Sequence, residues 1–190
     1  MLAPLGRYDE AVGESRRALA LDPLSFEVND LAALTLLMAG RYPDAEKVAR
    51  KQIAFDASRS PGYSWLGLAL SFQGRDAEAM EMTAMGKRIG VNGGNDWPFA
   101  CISARAGRRD DARQVLQQIL QSDQTTGPVD RRLFMIDACL GDKDSALKYA
   151  EKMHAEHDPL LPTMLNYPVT AGLRTDPRFT TLRQGIGLPR

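Results

Sequence analysis

A short turn pattern of a glycine, a polar residue, an acid and an alanine comes back five times along this chain. It reads Gly6-Arg7-Tyr8-Asp9-Glu10-Ala11, Gly40-Arg41-Tyr42-Pro43-Asp44-Ala45, Gly74-Arg75-Asp76-Ala77-Glu78-Ala79, Gly107-Arg108-Arg109-Asp110-Asp111-Ala112 and Gly141-Asp142-Lys143-Asp144-Ser145-Ala146. The glycines stand 34, 34, 33 and 34 residues apart. So fixed a period is the signature of a repeat architecture, in which each unit buries its apolar face only against its neighbours.

Between the turns the chain alternates apolar runs of helical period with stop signals. Helices are expected over 9–21, 26–39, 44–55, 60–73, 76–89, 96–106, 110–121, 129–140 and 144–157. Asp22-Pro23 and Asp158-Pro159 end two of them, because proline cannot continue a helix and pushes the residue before it out of the α region. Ser60 suits an N-cap, with Pro61 at the first helical position. Residues 90–95 and 122–128 are glycine-rich or polar connections. No alternating β-branched run occurs, so an all-α hairpin array is expected. Residues 1–5 are too few for a helix before the first turn, which suggests that the first repeat has lost most of its leading helix and that the chain belongs to something longer.

The pattern resembles the tetratricopeptide repeat family, whose period is 34. The third repeat carries its first part as Tyr63-x2-Leu66-Gly67-x2-Leu70, with Ala79 after the turn. The first repeat supplies Ala11-x3-Ser15-x2-Ala18-x4-Pro23, the second Ala33 and Ala45, and the fourth Phe99-Ala100 and Ala112. The fifth match is the weakest, with Leu133-Phe134 where a small residue is usual. The resemblance covers roughly residues 1–158. It implies a right-handed superhelical solenoid of helix-turn-helix repeats, with units at 1–25, 26–59, 60–92, 93–126 and 127–158. Small residues (Gly67, Ala33, Ala100, Ala11, Ala45, Ala79, Ala112, Ala146) stand where two helices must approach closely.

Residues 159–190 break the pattern and are the candidate C-terminal cap that a solenoid needs. Residues 160–165 suit a short helix. Asp176 or Thr175 then caps another, with Pro177 at its first position and Phe179 and Leu182 turned inward. The run Leu173-Arg174-Thr175-Asp176-Pro177-Arg178-Phe179-x2-Leu182, closing on Gly187-Leu188-Pro189, is similar to the C-termini of bacterial signalling proteins. In those proteins such repeats follow an adenylate cyclase, kinase or winged-helix domain.

Formal net charge is zero, with 24 basic and 24 acidic residues, which gives no reason to expect nucleic-acid or anionic-membrane binding. No stretch approaches the ~18 apolar residues of a membrane span, and no signal peptide is visible. Cys101 and Cys139 form no C-x-x-C pair; two buried thiols in a reducing compartment are the expectation, and with them a cytoplasmic location. No catalytic constellation emerges. Glu151-x2-His154-x2-His157 has the wrong spacing for a helical zinc pair and is better explained as solvated residues near a helix C-terminus. No cofactor or metal is expected, and the chain is not expected to be an enzyme.

A surface remains. On the third repeat's first helix, Tyr63, Leu66, Gly67 and Leu70 share one face, and Pro61, Trp65, Leu68 and Phe72 lie opposite, where the resemblance implies the concave side. The repeat shift adds Leu31, Leu34 and Met38, then Pro98, Cys101 and Arg105, then Arg132, Met135 and Cys139. The groove should be apolar in its first half and acquire arginine in its second. The expected function is non-catalytic binding of a protein or peptide, apolar with an acidic end, oriented by Arg105 and Arg132. Tetratricopeptide domains that hold chaperone tails use a Lys/Asn/Arg clamp here; Leu34, Leu68 and Met38 in that region argue against chaperone tails. Three other readings stand beside this one. The chain's own residues 159–175, or a missing upstream region, fill the groove; the chain is the C-terminal regulatory part of a larger signalling protein with its partner in cis; or it self-associates as a homodimer through the open N-terminal repeat.

Overall fold

A computed structural model describes residues 5–90, 96–121 and 129–189. Most of the glycine-rich connection at 90–95 and all of the polar loop at 122–128 lie outside the described residues. Eleven α-helices are described: α1 (Tyr8–Leu21), α2 (Phe26–Met38), α3 (Tyr42–Phe55), α4 (Ser60–Phe72), α5 (Asp76–Ile89), α6 (Asp96–Arg105), α7 (Arg109–Gln121), α8 (Val129–Leu140), α9 (Lys143–Ala155), α10 (Leu161–Met164) and α11 (Pro177–Gly185). A 3-10 segment, Pro168–Thr175, joins the last two. No strand occurs among the described residues, and none of their helices is long and apolar enough to cross a membrane.

The recurring glycines make the hairpins. Gly40, Gly74, Gly107 and Gly141 have φ of 69°, 77°, 80° and 76°, a left-handed conformation that is strained for a residue with a Cβ. The residue after each closes the turn by donating its N–H five residues back: Arg41 to Leu36, Arg75 to Leu70, Arg108 to Ser103 and Asp142 to Asp137, at 2.8–3.0 Å. This capping pattern satisfies carbonyls that the helix end leaves unpaired.

From α1 to α10 each helix packs on the next, α11 packs on α9, and α2, α4, α6 and α8 also pack on one another in sequence. These four form the inner row. α4 is buried on nearly all sides, whereas α3 and α5 each bury a narrow stripe, as outer helices should. Gly67 shows how closely the layers approach. A Cβ there would lie 2.4 Å from Thr83 Cγ2 and 3.2 Å from the Ala79 carbonyl oxygen. Ala33, Ala45, Ala79, Ala100, Ala112 and Ala146 are fully buried in the same role. Phe134, the bulky exception, is fully buried too. It joins a cluster with Leu147, Leu161, Leu165, Leu173 and Phe179, so the C-terminal segment is part of the core. Asp176 caps α11, accepting from the Arg178 N–H at 2.9 Å. Ser60, in contrast, stands inside the first turn of α4, and Arg59 takes the cap position without a side-chain bond.

The cysteines correct the expectation of free thiols. Cys101 and Cys139 are joined in a disulfide, with their Cα atoms 5.1 Å apart. Their separation of 38 residues is one repeat plus about one helical turn. Cys101 Sγ lies 3.3 Å from the carbonyl oxygen of Met135, one period on in α8, and is bonded to Cys139 one turn beyond it. The bond staples two neighbouring repeats, and since structural disulfides persist in oxidising surroundings, the cysteines no longer support a reducing compartment.

Asp137 on α8 is buried, and burial pushes its carboxyl up to about 6, with the negative Asp142 adding to the rise. The folded state therefore holds this proton more tightly than the unfolded chain does. The stabilisation is complete below about pH 4 and is lost as pH rises through about 6.

Two outcomes follow. Denatured protein should show no free thiol before reduction, and Cys101→Ala/Cys139→Ala should lose about 4 kcal/mol, or about 10 °C in Tm; two titratable thiols would contradict this. Asp137→Asn should raise stability by about 2 kcal/mol at pH 8, with the gain vanishing near pH 4. A pH-independent difference in melting curves would contradict the burial account.

Candidate functional site: the inner groove

The inner row curves around a groove, and the structure fills it with the chain's own Tyr167-Pro168-Val169. These residues meet Leu37, Trp65, Leu68, Phe72 and Trp97, leaving a cavity of about 10 Å³, room for one water at most. The Tyr167 ring stacks on Trp97, centroids 5.8 Å apart and planes 18° off parallel. Together with Tyr8 and Leu34 it also packs against the buried pair Ala11 and Met38, which ties the strap to the first hairpin. Pro168 fixes the strap's φ and carries no N–H to leave unpaired against this apolar wall. The strap's hydrogen bonds are local: Thr170 N–H to Tyr167 O and Tyr167 N–H to Met164 O, both 3.1 Å.

The predicted groove residues divide into covered and accessible. Met38, Leu68, Cys101 and Met135 are buried. Met135 packs with Met164, Leu165 and Leu173, and Cys101 is held in the disulfide. Leu34, Trp65 and Phe72 are half-buried around the strap, and Leu31 keeps 49% of its surface exposed. The row is therefore not an open apolar trough. A solenoid this short leaves its inner face exposed unless something covers it, and residues 161–173 do so.

The two arginines are engaged within the chain. Arg105 lies 4.2 Å from the Phe72 ring centroid, and its Nε donates to Ser71 Oγ at 2.9 Å. The Phe72 ring is itself stacked on Tyr42 at 5.0 Å. Arg132, with 12% of its side-chain surface exposed, pairs with Asp96 at 3.6 Å. Arg105 remains exposed at the groove edge; Arg132 does not.

Two polar features escaped the sequence reading. Asp30 on α2 accepts a hydrogen bond from the Trp65 indole N–H across the inner row. Burial raises its carboxyl, and the Trp65 and Gln52 side chains oppose the rise. Burial also raises the Tyr167 hydroxyl strongly, and the nearby Asp30 charge adds to it. The second feature is Trp97, the strap's stacking partner. Neither position repeats along the chain, so periodicity carried no signal for them.

Glu151 and His154 line a cavity of about 410 Å³ with Pro177, Arg178, Thr181, Leu182 and Gly185. Among the described residues no three His, Cys, Asp or Glu come together as metal ligands.

No protein-family model matches the chain, and no curated protein does. Among solved structures it is similar to a thermophilic TPR protein of Thermus thermophilus. The TM-score is 0.61 at 22% identity, over 87% of this chain and 91% of that one. At that identity the likeness shows the fold alone: this chain is an α-solenoid with the tetratricopeptide-repeat fold.

Tyr167→Ala should uncover the groove. Tryptophan emission should shift to the red as Trp65 and Trp97 meet water, an apolar dye should bind, and the helical signal should persist. An unchanged emission maximum would show that the ring does not shield them.

Proposed function

We propose that the chain is a non-catalytic protein-interaction scaffold whose inner groove takes an apolar segment, and that residues 167–169 occupy it in cis until a partner segment replaces them. The supporting observation is the occupant itself. An aromatic residue, a proline and an aliphatic residue fill the row formed by Leu37, Trp65, Leu68 and Phe72. A tetratricopeptide-repeat fold is a helical scaffold whose repeats present such surfaces, which agrees with the reading.

The tether decides what a partner must offer. Leu161, Leu165 and Leu173, fully buried in the core on either side of the strap, hold the cis segment over the groove as an intramolecular competitor. A partner with the same three contacts alone would lose to it. The winning segment needs further contacts, and exposed Leu31 and Arg105 at the groove's edges supply an apolar and an acid-binding one. The ligand is therefore an aromatic-proline-aliphatic segment with an acidic end.

The test uses the full chain carrying Tyr167→Ala and Val169→Ala, and a labelled peptide with the sequence of residues 163–173. Fluorescence anisotropy should show the variant binding the peptide at least tenfold more tightly than the wild type does. Adding Leu68→Glu should abolish that binding. A folded variant that ignores the peptide would overturn the exchange.

A further inference from the structure

We propose a second docking site, at the outer edge between the first two helix pairs, for a partner's apolar side chain together with the peptide N–H groups beside it. A cavity of about 230 Å³ opens there, lined by Pro23, Leu24, Phe26, Asn29, Lys51, Gln52, Ala54 and Phe55. None of these residues lines the strap-filled groove, so the site stands independently of the exchange proposed above.

The rim is unusually apolar for a surface. Leu24 and Phe55 are each 60% exposed, and Leu21, the last residue of α1, is 87% exposed. Isolated exposed leucines need no explanation, but a cluster around a cavity mouth does.

The floor is polar and incomplete. Asn29 and Gln52 are each only 4% exposed. Asn29 Nδ2 donates to the Ser25 carbonyl at 2.7 Å and to the Pro23 carbonyl at 3.1 Å, which fixes the amide's orientation. Its Oδ1 is then left without a donor, and Gln52 Oε1 has none either. Gln52 Nε2 also makes no hydrogen bond of proper geometry, although the amide is near enough to Asp30 to lower that carboxyl. Buried acceptors left unpaired cost free energy, and two on residues that line one small cavity call for donors from outside.

The missing group is specified by these walls. It must carry N–H donors to meet two carbonyl oxygens and an apolar body to cover Leu24 and Phe55. It must also be uncharged or acidic at the mouth, where exposed Lys51 repels a cation. An ammonium fails the last condition and a plain hydrocarbon the first. A leucine-like side chain on an extended backbone meets all three, which is how a segment laid along a surface uses its main chain for affinity and its side chains for specificity.

The probe is N-acetyl-leucine amide, a neutral molecule with one branched side chain and both kinds of amide N–H. Titrated into the full chain, it should shift the side-chain amide resonances of Asn29 and Gln52 saturably. Isoamyl acetate, with the same branched chain and no N–H, should bind at least tenfold more weakly. Ala54→Trp, at an exposed helix position on the cavity wall, should block the probe without unfolding α3. Gln52→Met should weaken it at least fivefold while the helical signal persists, because one acceptor for the probe's N–H is removed. Equal binding of the two compounds, or binding that survives Ala54→Trp, overturns the proposal. So does a high-resolution structure with ordered waters on Asn29 Oδ1 and Gln52 Oε1 that the probe does not displace. The peptide-exchange experiment reads the groove alone, so failure of either leaves the other intact.

Discussion

The left-handed glycine at each hairpin turn is the constraint on which the rest depends. With φ between 69° and 80° at Gly40, Gly74, Gly107 and Gly141, every pair of helices meets through the same closed turn. Identical turns and small contact residues make identical hairpins, and identical hairpins stack into a superhelix rather than a closed globule. Curvature then brings α2, α4, α6 and α8 together as an inner row. The groove is a geometric consequence of the turns, and so is the need to cover it.

The covering segment makes a finite solenoid into a closed unit. Tyr167 reaches from Trp97 to the buried pair Ala11 and Met38, so one ring bridges the fourth helix pair and the first hairpin. Tyr8 packs against the same buried pair, so α1 and the strap meet there. The disulfide between α6 and α8 acts on the same row, fixing the offset between adjacent repeats just before the C-terminal core begins. Repeat arrays are held together by nearest-neighbour terms. Here the strap adds a contact between distant repeats, and with it a reason for the whole chain to fold cooperatively.

What could be read from the sequence was what the repeat carries. The turn positions, the close approach at Gly67, the alanines opposite it and the Asp176-Pro177 start of α11 all follow from local chemistry in a fixed register. The cysteine pair did not, because 38 residues is not the period: Cys139 lies one helical turn beyond Met135, the position one repeat on from Cys101. The expected groove row lies on α2, α4, α6 and α8, yet its accessibility depends on residues 161–173, whose docking no period dictates. Arg105 and Arg132 show the same limit. Helical phase puts them on the inner side, but Phe72, Ser71 and Asp96 decide whether their charge is available. Asn29 and Gln52, ordinary helix residues in sequence, became notable only once burial left their oxygens unpaired.

Native-state hydrogen exchange at the strap tests most directly whether this array is built around its own C-terminal segment. The amides of Tyr167 and Thr170, bonded to Met164 and Tyr167, would be compared with those of α4 and α6 across denaturant concentrations. The strap and the inner row should merge into one opening unit, with strap amides protected to within about tenfold of the inner helices. Strap amides that exchange near the unprotected rate, while α4 and α6 stay protected, would mean that the groove stands open and the strap is only a passenger.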